Sequence, residues 1–215
     1  MSKVVINRLT KTFGDAILET HDQFGDETAV VDPARWKEIC FFLRDDARCA
    51  MDHFIDLTAV DYLHRRTPRF EVVLHLRSIE KLHRVRLKAR IDLVEGEDHA
   101  EIDSVVEVWK GANWFEREAF DMFGVRFVGH PDMRRILMYE EFEGHPLRKD
   151  YAADRAQPLI PYREGVENEI LPPFDTTEGM PFARQEHDTW KRLIARQERR
   201  GGEAGRNILG FEEES

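Results

Sequence analysis

The sequence predicts an α+β fold: a small, mostly antiparallel mixed sheet with helices packed on one face, followed by a long extended C-terminal arm. Three observations predict it. Strict alternation in "RVRLKARI" puts Val85, Leu87, Ala89 and Ile91 on one side of a strand and Arg84, Arg86, Lys88 and Arg90 on the other. Apolar residues recur at helical spacing both before and after the stretch of strands that contains it. Beyond Asp150 the apolar residues follow no period of 2 or 3.6 at all.

Residues 4–20 place Val5, Leu9, Phe13 and Ile17 at helical spacing and read as the first helix. "ETAVVD" (27–32) is a short strand. Asp32 then caps a second helix that has Pro33 at its first position, runs to about Asp46 and buries Trp36, Ile39, Cys40 and Leu43. Strands follow at 53–62, 70–78 and 81–91, the last two joined through Ser78-Ile79-Glu80 as a hairpin. One face of this sheet must lie on a core, and the other is basic. Helical pattern returns over 101–111 and again over Asn113–Phe123, with Asn113 as a possible cap and Gly124 as the stop. These elements make residues 1–150 one α/β domain.

Residues 151–215 form the arm. Five of the nine prolines fall between Tyr151 and Pro181, and Leu159, Ile160, Tyr162, Ile170, Leu171 and Phe174 occur singly or in pairs. The segment is too apolar for a solvated linker and too aperiodic for a helix or a strand. It reads as an extended piece whose apolar residues are buried on another protein, with a short helix near 183–200.

Composition narrows the class. A chain of 215 residues with 41% hydrophobic and 34% charged residues suits one ordinary domain plus an appendage. A net charge of -10 argues against general nucleic-acid binding. No stretch approaches the roughly 20 apolar residues of a membrane span, so membrane association is expected only through a partner. "MSKVVINRL" has no apolar core of a secretory leader. Cys40 and Cys49 match no zinc or iron–sulfur spacing and read as buried thiols of a reduced, cytoplasmic protein.

Familiar chemistry is missing. No Gly-x-Gly-x-x-Gly follows a strand, and there is no Walker-type loop, His-Glu-x-x-His, Cys/His cluster or Gly-x-Ser-x-Gly elbow. The chain is therefore either a binding component or an enzyme built from scattered residues. The scattered candidates crowd into "EREAFDMFGVRFVGHPDMRRILM" (Glu116–Met138) and "GHPLRKD" (Gly144–Asp150). On a helix Arg117 and Asp121 are i,i+4 neighbours and can pair, and the acids crowded among Trp114, Phe115, Ala119, Met122 and Phe123 are expected to meet arginines away from bulk water. His130 and His145 each precede a proline. They are either a general acid/base pair, in a hydrolase that also uses Asp132, or rigid turns whose imidazoles cap backbone carbonyls. Arg134-Arg135 and Arg148-Lys149 suit phosphate or an interface carboxylate. The basic strand face is either the wet side of a sheet or an RNA-binding surface, the latter without the interleaved aromatics that RNA binding favours.

The segment resembles the signature of the 30-kilodalton subunit family of respiratory complex I, the C-type subunit of bacterial NADH–quinone oxidoreductase. The constrained positions are Glu116, Arg117, Glu118, Asp121, Met122, Phe123, His130, Arg134, Ile136 and Leu137, and "GHPLRKDY" supplies His145, Pro146, Arg148, Lys149 and Asp150. The resemblance is strong over residues 114–151. It implies an α/β domain in the hydrophilic arm of a proton-translocating enzyme, beside the 49-kilodalton (D-type) subunit and adjacent peripheral-arm subunits. It also implies a chain that binds no cofactor and has no active site of its own, with FMN, Fe–S clusters and quinone held by partner subunits. The implied location is peripheral, on the cytoplasmic side of the cell inner membrane. The same family includes subunits of F420H2-, ferredoxin- and hydrogenase-linked complexes.

Overall fold

A computed structural model describes residues 3–158. The arm expected over 151–215 is described only as far as Pro158, and the helix expected at 183–200 lies outside the described residues.

Helix α1 (Lys3–Phe13) buries Val5, Leu9 and Phe13. It was expected to reach residue 20, but it stops at the Gly14-Asp15 turn and the chain enters strand β1 (Ile17–His21). Ile17 keeps helical spacing from Phe13, which is why periodicity misread it. Its backbone is instead paired with β2 (Thr28–Val31), and tertiary pairing overrides local preference. At the next element the caps act as expected: the Asp32 side chain accepts from the N–H of Ala34 at 3.0 Å, and Pro33 opens a 3-10 turn leading into α2 (Trp36–Asp45). Trp36, Ile39, Cys40 and Leu43 are fully buried, and Cys40 and Cys49 are free thiols in the core.

Strands β3 (His53–Asp61), β4 (Phe70–Arg77) and β5 (Arg84–Ile91) form an antiparallel run. The third begins later than expected, because Ser78–His83 is a loop closed by a 2.9 Å bond from the Ser78 N–H to the His83 carbonyl. Strand β2 pairs parallel with β5, so the sheet is mixed, in the order β1-β2-β5-β4-β3. Register puts Val72, Leu74 and Leu76 opposite Ala89, Leu87 and Val85, and this face meets α1 and α2 in one core. Burying each such side chain contributes about 1.5–3 kcal/mol.

The opposite face carries the basic stripe, and its charges are neutralised by acids on the sheet and in the turn before β2. Arg84 and Arg86 both meet Asp26, the latter at 2.9 Å. Glu71 is buried among Lys88 at 2.8 Å, Arg66 at 2.9 Å and Arg90 at 3.5 Å, and Arg90 also reaches Glu19 at 2.7 Å. Burial opposes charge on Glu71, yet Lys88 and Arg66 overcome it and lower its pKa. Thr28, Val30 and Val73 share this face by register and are buried beneath the stems of these long side chains.

Residues 101–111, expected to be helical, are a strand followed by turns. Strand β6 (Ala100–Asp103) leads into a bend in which Val105 and Val106 are buried and the N–H groups of Val108 and Trp109 both reach the Val105 carbonyl at 2.9 Å. The apolar spacing is real but serves a loop. Helix α3 (Ala112–Phe123) follows, then β7 (Val125–Val128), which pairs parallel with β6. Parallel neighbours need a crossover, and α3 supplies it. Gly124 ends α3 with φ of 73°, as expected. Asn113 is not the cap: it lies inside the helix, which Gly111 precedes without a side-chain bond. On β3, Phe54 packs against Phe115 and Trp109, with ring centroids 5.2 and 6.5 Å apart.

Candidate functional site

Helix α3 and the irregular chain from Gly129 to Tyr151 hold the acids, bases and aromatics singled out in the sequence. The irregular chain has few regular backbone partners, so side chains must supply them.

Glu116 is fully buried on α3. Its carboxyl accepts from the Ser104 hydroxyl and the Val105 N–H, each at 2.7 Å, and so holds the bend before the helix. Burial pushes this carboxyl up to about 7, against the two hydrogen bonds that favour its charge.

One turn on, Asp121 is also fully buried. It was expected to pair with Arg117, but its Oδ1 accepts from Arg135 at 2.6 Å while its Oδ2 accepts the backbone N–H groups of Ile136, Leu137 and Met138 at 3.1, 2.8 and 2.8 Å. Burial works against charge on Asp121; the three N–H groups and Arg135 outweigh it and keep its pKa below the usual carboxylate range. Arg135 also donates to the Gly144 carbonyl at 2.9 Å. Arg117 turns the other way, with Nε donating to the Arg134 carbonyl and Nη2 to the Arg135 carbonyl, both at 3.0 Å. The i,i+4 geometry exists; a loop with unpaired N–H groups and carbonyls takes both partners.

The two Gly-His-Pro turns clasp opposite ends of α3. His130 Nε2 lies 3.2 Å from the Asn113 carbonyl, and its Nδ1 accepts from the Asp132 N–H at 3.0 Å. His145 Nδ1 lies 2.9 Å from the Asp121 carbonyl. Burial lowers the pKa of both imidazoles. Their anchors are eight residues apart on the helix, roughly 12 Å along its axis. Asp132 uses its carboxylate on Arg134 at 2.7 and 2.8 Å. A His130–Asp132–His145 hydrolase centre is thus not assembled, and the carbonyl-capping turns are what the structure contains.

Past His145 the chain is stapled down. The Leu147 N–H reaches the Met122 carbonyl at 3.1 Å. Arg148, buried, donates to the carbonyls of Phe123 and Asp98 at 2.6 and 2.7 Å and contacts the Asp98 carboxylate. Asp61 accepts the Lys149 N–H at 2.8 Å and pairs with Arg69, which also holds Asp150 at 2.9 Å. Burial opposes charge on Asp61 as well; Arg69 and the N–H groups of Lys149 and Leu63 hold its pKa at about 2.

The structure therefore divides the signature residues. Glu116, Asp121, Met122 and Arg148 are buried and bond or pack within the chain, whereas Glu118, Arg134, Leu137, Lys149 and Asp150 are exposed at the surface. Arg117, Phe123, His130, Ile136, His145 and Pro146 lie between these limits. Sequence reasoning missed Ser104, Asp98 and Asp61 as partners, since they lie far along the chain from the residues they hold. It also missed the exposure of Trp114, which stood among residues read as surrounding the charged pair; 70% of Trp114 faces solvent.

A depression of about 470 Å³ beside this segment is lined by Glu97, Asp98, His99, Phe120, Arg126, Met133 and His145. Among the described residues no group of three or more His, Cys, Asp or Glu is placed to hold a metal ion, and no helix is long and apolar enough to cross a membrane.

Comparison with known proteins agrees with the fold and the segment. The family described as respiratory-chain NADH dehydrogenase, 30 Kd subunit, matches residues 29–157. The chain is 44% identical over 143 residues to a C-type subunit of NADH-quinone oxidoreductase from Rhizobium etli, covering 66% of this chain and 73% of that one. It is 46% identical over 146 residues to the corresponding C-type subunit of a Roseiflexus species (strain RS-1), covering 68% and 81%. Among solved structures, Nqo5 of the trypsin-resistant fragment (1-134) matches with a TM-score of 0.51 and 26% identity, over 61% of this chain and 99% of that one. A chain of the membrane-bound sulfane sulfur reductase, an archaeal respiratory membrane complex, shares the fold with a TM-score of 0.52 and 21% identity, over 70% and 85%. The family match spans the sheet from β2 onward, α3 and the whole stapled segment that follows, and the chain belongs to the respiratory-chain NADH dehydrogenase 30 kDa subunit family, that of the C-type subunits of NADH-quinone oxidoreductase.

Proposed function

We propose that the chain is a non-catalytic structural and assembly subunit in the peripheral arm of a proton-translocating NADH:quinone oxidoreductase. In this reading electrons pass from NADH through FMN and Fe–S clusters to quinone in partner subunits, chiefly past the 49 kDa D-type subunit that this chain adjoins. The chain itself binds none of these groups, and it reaches the cytoplasmic face of the cell inner membrane only through the complex. One observation carries the reading: the side chains best suited to chemistry are engaged in holding backbone. Asp121 accepts three consecutive N–H groups, and His130 and His145 each meet a carbonyl of α3. The relatives' names support NADH as the donor over an F420H2-, ferredoxin- or hydrogenase-linked complex. RNA binding is disfavoured, because the cations of the open sheet face have acidic partners on the sheet or in the turn before β2.

The test is to purify the full chain from membranes, identify what accompanies it, and assay the separated chain for flavin, iron and NADH binding. Co-purification with a multi-subunit oxidoreductase and a colourless separated chain are expected. Flavin or a cluster at one per chain on the separated protein would overturn the reading.

A further inference from the structure

Among the described residues the buried carboxyl side chains are those of Asp61, Glu71, Glu116 and Asp121. Three of them meet a cation: Asp61 meets Arg69 at 2.8 Å, Glu71 meets Lys88 at 2.8 Å and Asp121 meets Arg135 at 2.6 Å. Glu116 has no cation within salt-bridge distance among the described residues. Its partners are the Ser104 hydroxyl and the Val105 N–H, each at 2.7 Å. A buried anion without a counter-charge is costly, and a carboxyl so placed favours its neutral form.

The neutral form needs an acceptor for the acid hydrogen, and Ser104 can supply one. Its Oγ accepts the Val106 N–H at 3.2 Å and has a second lone pair. Rotation of the hydroxyl therefore turns a donor to the carboxylate into an acceptor from the acid. Each carboxyl oxygen has a partner in both states, and only the charged state leaves an uncompensated ion. From α2 the carboxyl faces Cys40, a thiol that burial keeps protonated, and Lys37. The Lys37 ammonium is taken at 2.9 Å by Glu107, an exposed residue of the same bend. Further along, the bend is pinned independently: Arg44 donates to the Val108 carbonyl at 3.3 Å, and Trp109 Nε1 donates to the Met51 carbonyl at 2.9 Å. Residues 104–107 have Glu116 as their inward hold, and Val105 and Val106 are buried beside it.

We propose that Glu116 and Ser104 form a proton-operated latch on the bend before α3, shut while the carboxyl holds its proton and opened by loss of that proton. On opening, the O–H proton passes to solvent water, the carboxylate is hydrated, and Val105 and Val106 are exposed with Val108 as the hinge. On closing, the carboxyl takes one proton back. The raised pKa of Glu116, about 7, sets the window near neutrality. The latch belongs to this chain alone and does not depend on the subunit reading.

The test uses the full chain. Side-chain carbon resonances of the 13C-Glu-labelled protein are titrated from pH 5 to 9, and amide exchange at Val105 and Val106 is measured at each pH. Wild type is compared with Glu116→Gln, which keeps the shape of the neutral acid and cancels the intrinsic pH dependence of exchange. One buried glutamate titrating near neutrality is expected, absent from Glu116→Gln. Opening at Val105 and Val106, relative to the variant, should rise by up to about tenfold per pH unit from pH 5 to 7 and level off above, since one proton is released. Amides of Leu74 and Leu76 should not follow it. Ser104→Ala removes the donor to the charged form, so the titration should move to higher pH. No glutamate titrating in this range, exchange at Val105 and Val106 that tracks Glu116→Gln at every pH, or an unmoved midpoint in Ser104→Ala would overturn the latch. Should Glu116→Gln not fold, the wild-type titration and the Ser104→Ala midpoint decide the matter between them.

Discussion

Replacing Asp121 by Asn tests whether one carboxylate organises the loop after α3. The substitution keeps the shape and one acceptor for the Ile136, Leu137 and Met138 N–H groups, but it removes the charge and sets an amide N–H group against Arg135 Nη1, now 2.6 Å away. Breaking a buried ion pair costs about 3–5 kcal/mol. Arg135 keeps its bond to the Gly144 carbonyl, so the lower end, about 3 kcal/mol, is expected. That corresponds to roughly a hundredfold rise in local opening, at about 1.4 kcal/mol per factor of ten. Amide hydrogen exchange on wild type and Asp121→Asn should show faster exchange at residues 136–138, with amides of β4 such as those of Leu74 and Leu76 unchanged. Wild-type protection at 136–138, or an equal loss in β4, would refute the assignment of this loop to Asp121. The pH dependence has a definite sign. Because the folded pKa is depressed, the contribution of Asp121 is complete above the ordinary carboxylate range and is lost as pH falls through the folded value.

Glu116 has the opposite sign. With its pKa raised to about 7, its folded form holds a proton that the unfolded chain has released, so its contribution falls by up to about 3 kcal/mol as pH rises from the ordinary carboxylate range through 7. The lowered pKa values of His130 and His145 give the reverse slope in part of that window, so the readable quantity is the difference in urea midpoint between Glu116→Gln and wild type, which should change in favour of the variant between pH 5 and 8. Gly124→Ala should lower Tm by roughly 6–12 °C, for a cost of about 3 kcal/mol or more. Its Cβ would run into Arg148 Nη2 and stand 2.7 Å from the His145 ring at a φ of +73°. Arg148→Ala should destabilise the separated chain by about 2–4 kcal/mol in urea, since it leaves the Phe123 and Asp98 carbonyls without their donor; an unchanged midpoint would contradict the internal role assigned to this arginine.

The strand alternation of 84–91 and the stripe of α2 were legible because each is a periodic signal that tertiary structure had no reason to oppose. Both termini of α3 were close for the same reason. Errors fell where a short strand was hidden by a different period. Ile17 continues the spacing of α1, and Val105, Val108 and Trp109 imitate a helix while lining a bend. Local pattern cannot see the partner strands, β2 and β7, that decide these cases. In the site, the carbonyl-capping imidazoles followed from histidines placed before prolines without a nucleophile. The partner of Asp121 did not, because Arg135 becomes a neighbour only after the chain has turned back through Gly129 and Pro131. A long stretch without periodicity beside a buried acid was the available clue: such backbone must find acceptors and donors somewhere.

The paired Gly-His-Pro turns have a consequence for how this surface can change over time. Each imidazole grips main chain, at Asn113 and at Asp121, and is indifferent to the side chains between. The rod they hold can therefore be redecorated on its outward side, at positions such as Trp114 and Glu118, without shifting its placement. A jig that keeps the backbone still while the lettering on it is rewritten lets a subunit follow drift in its neighbours and leave its own architecture intact.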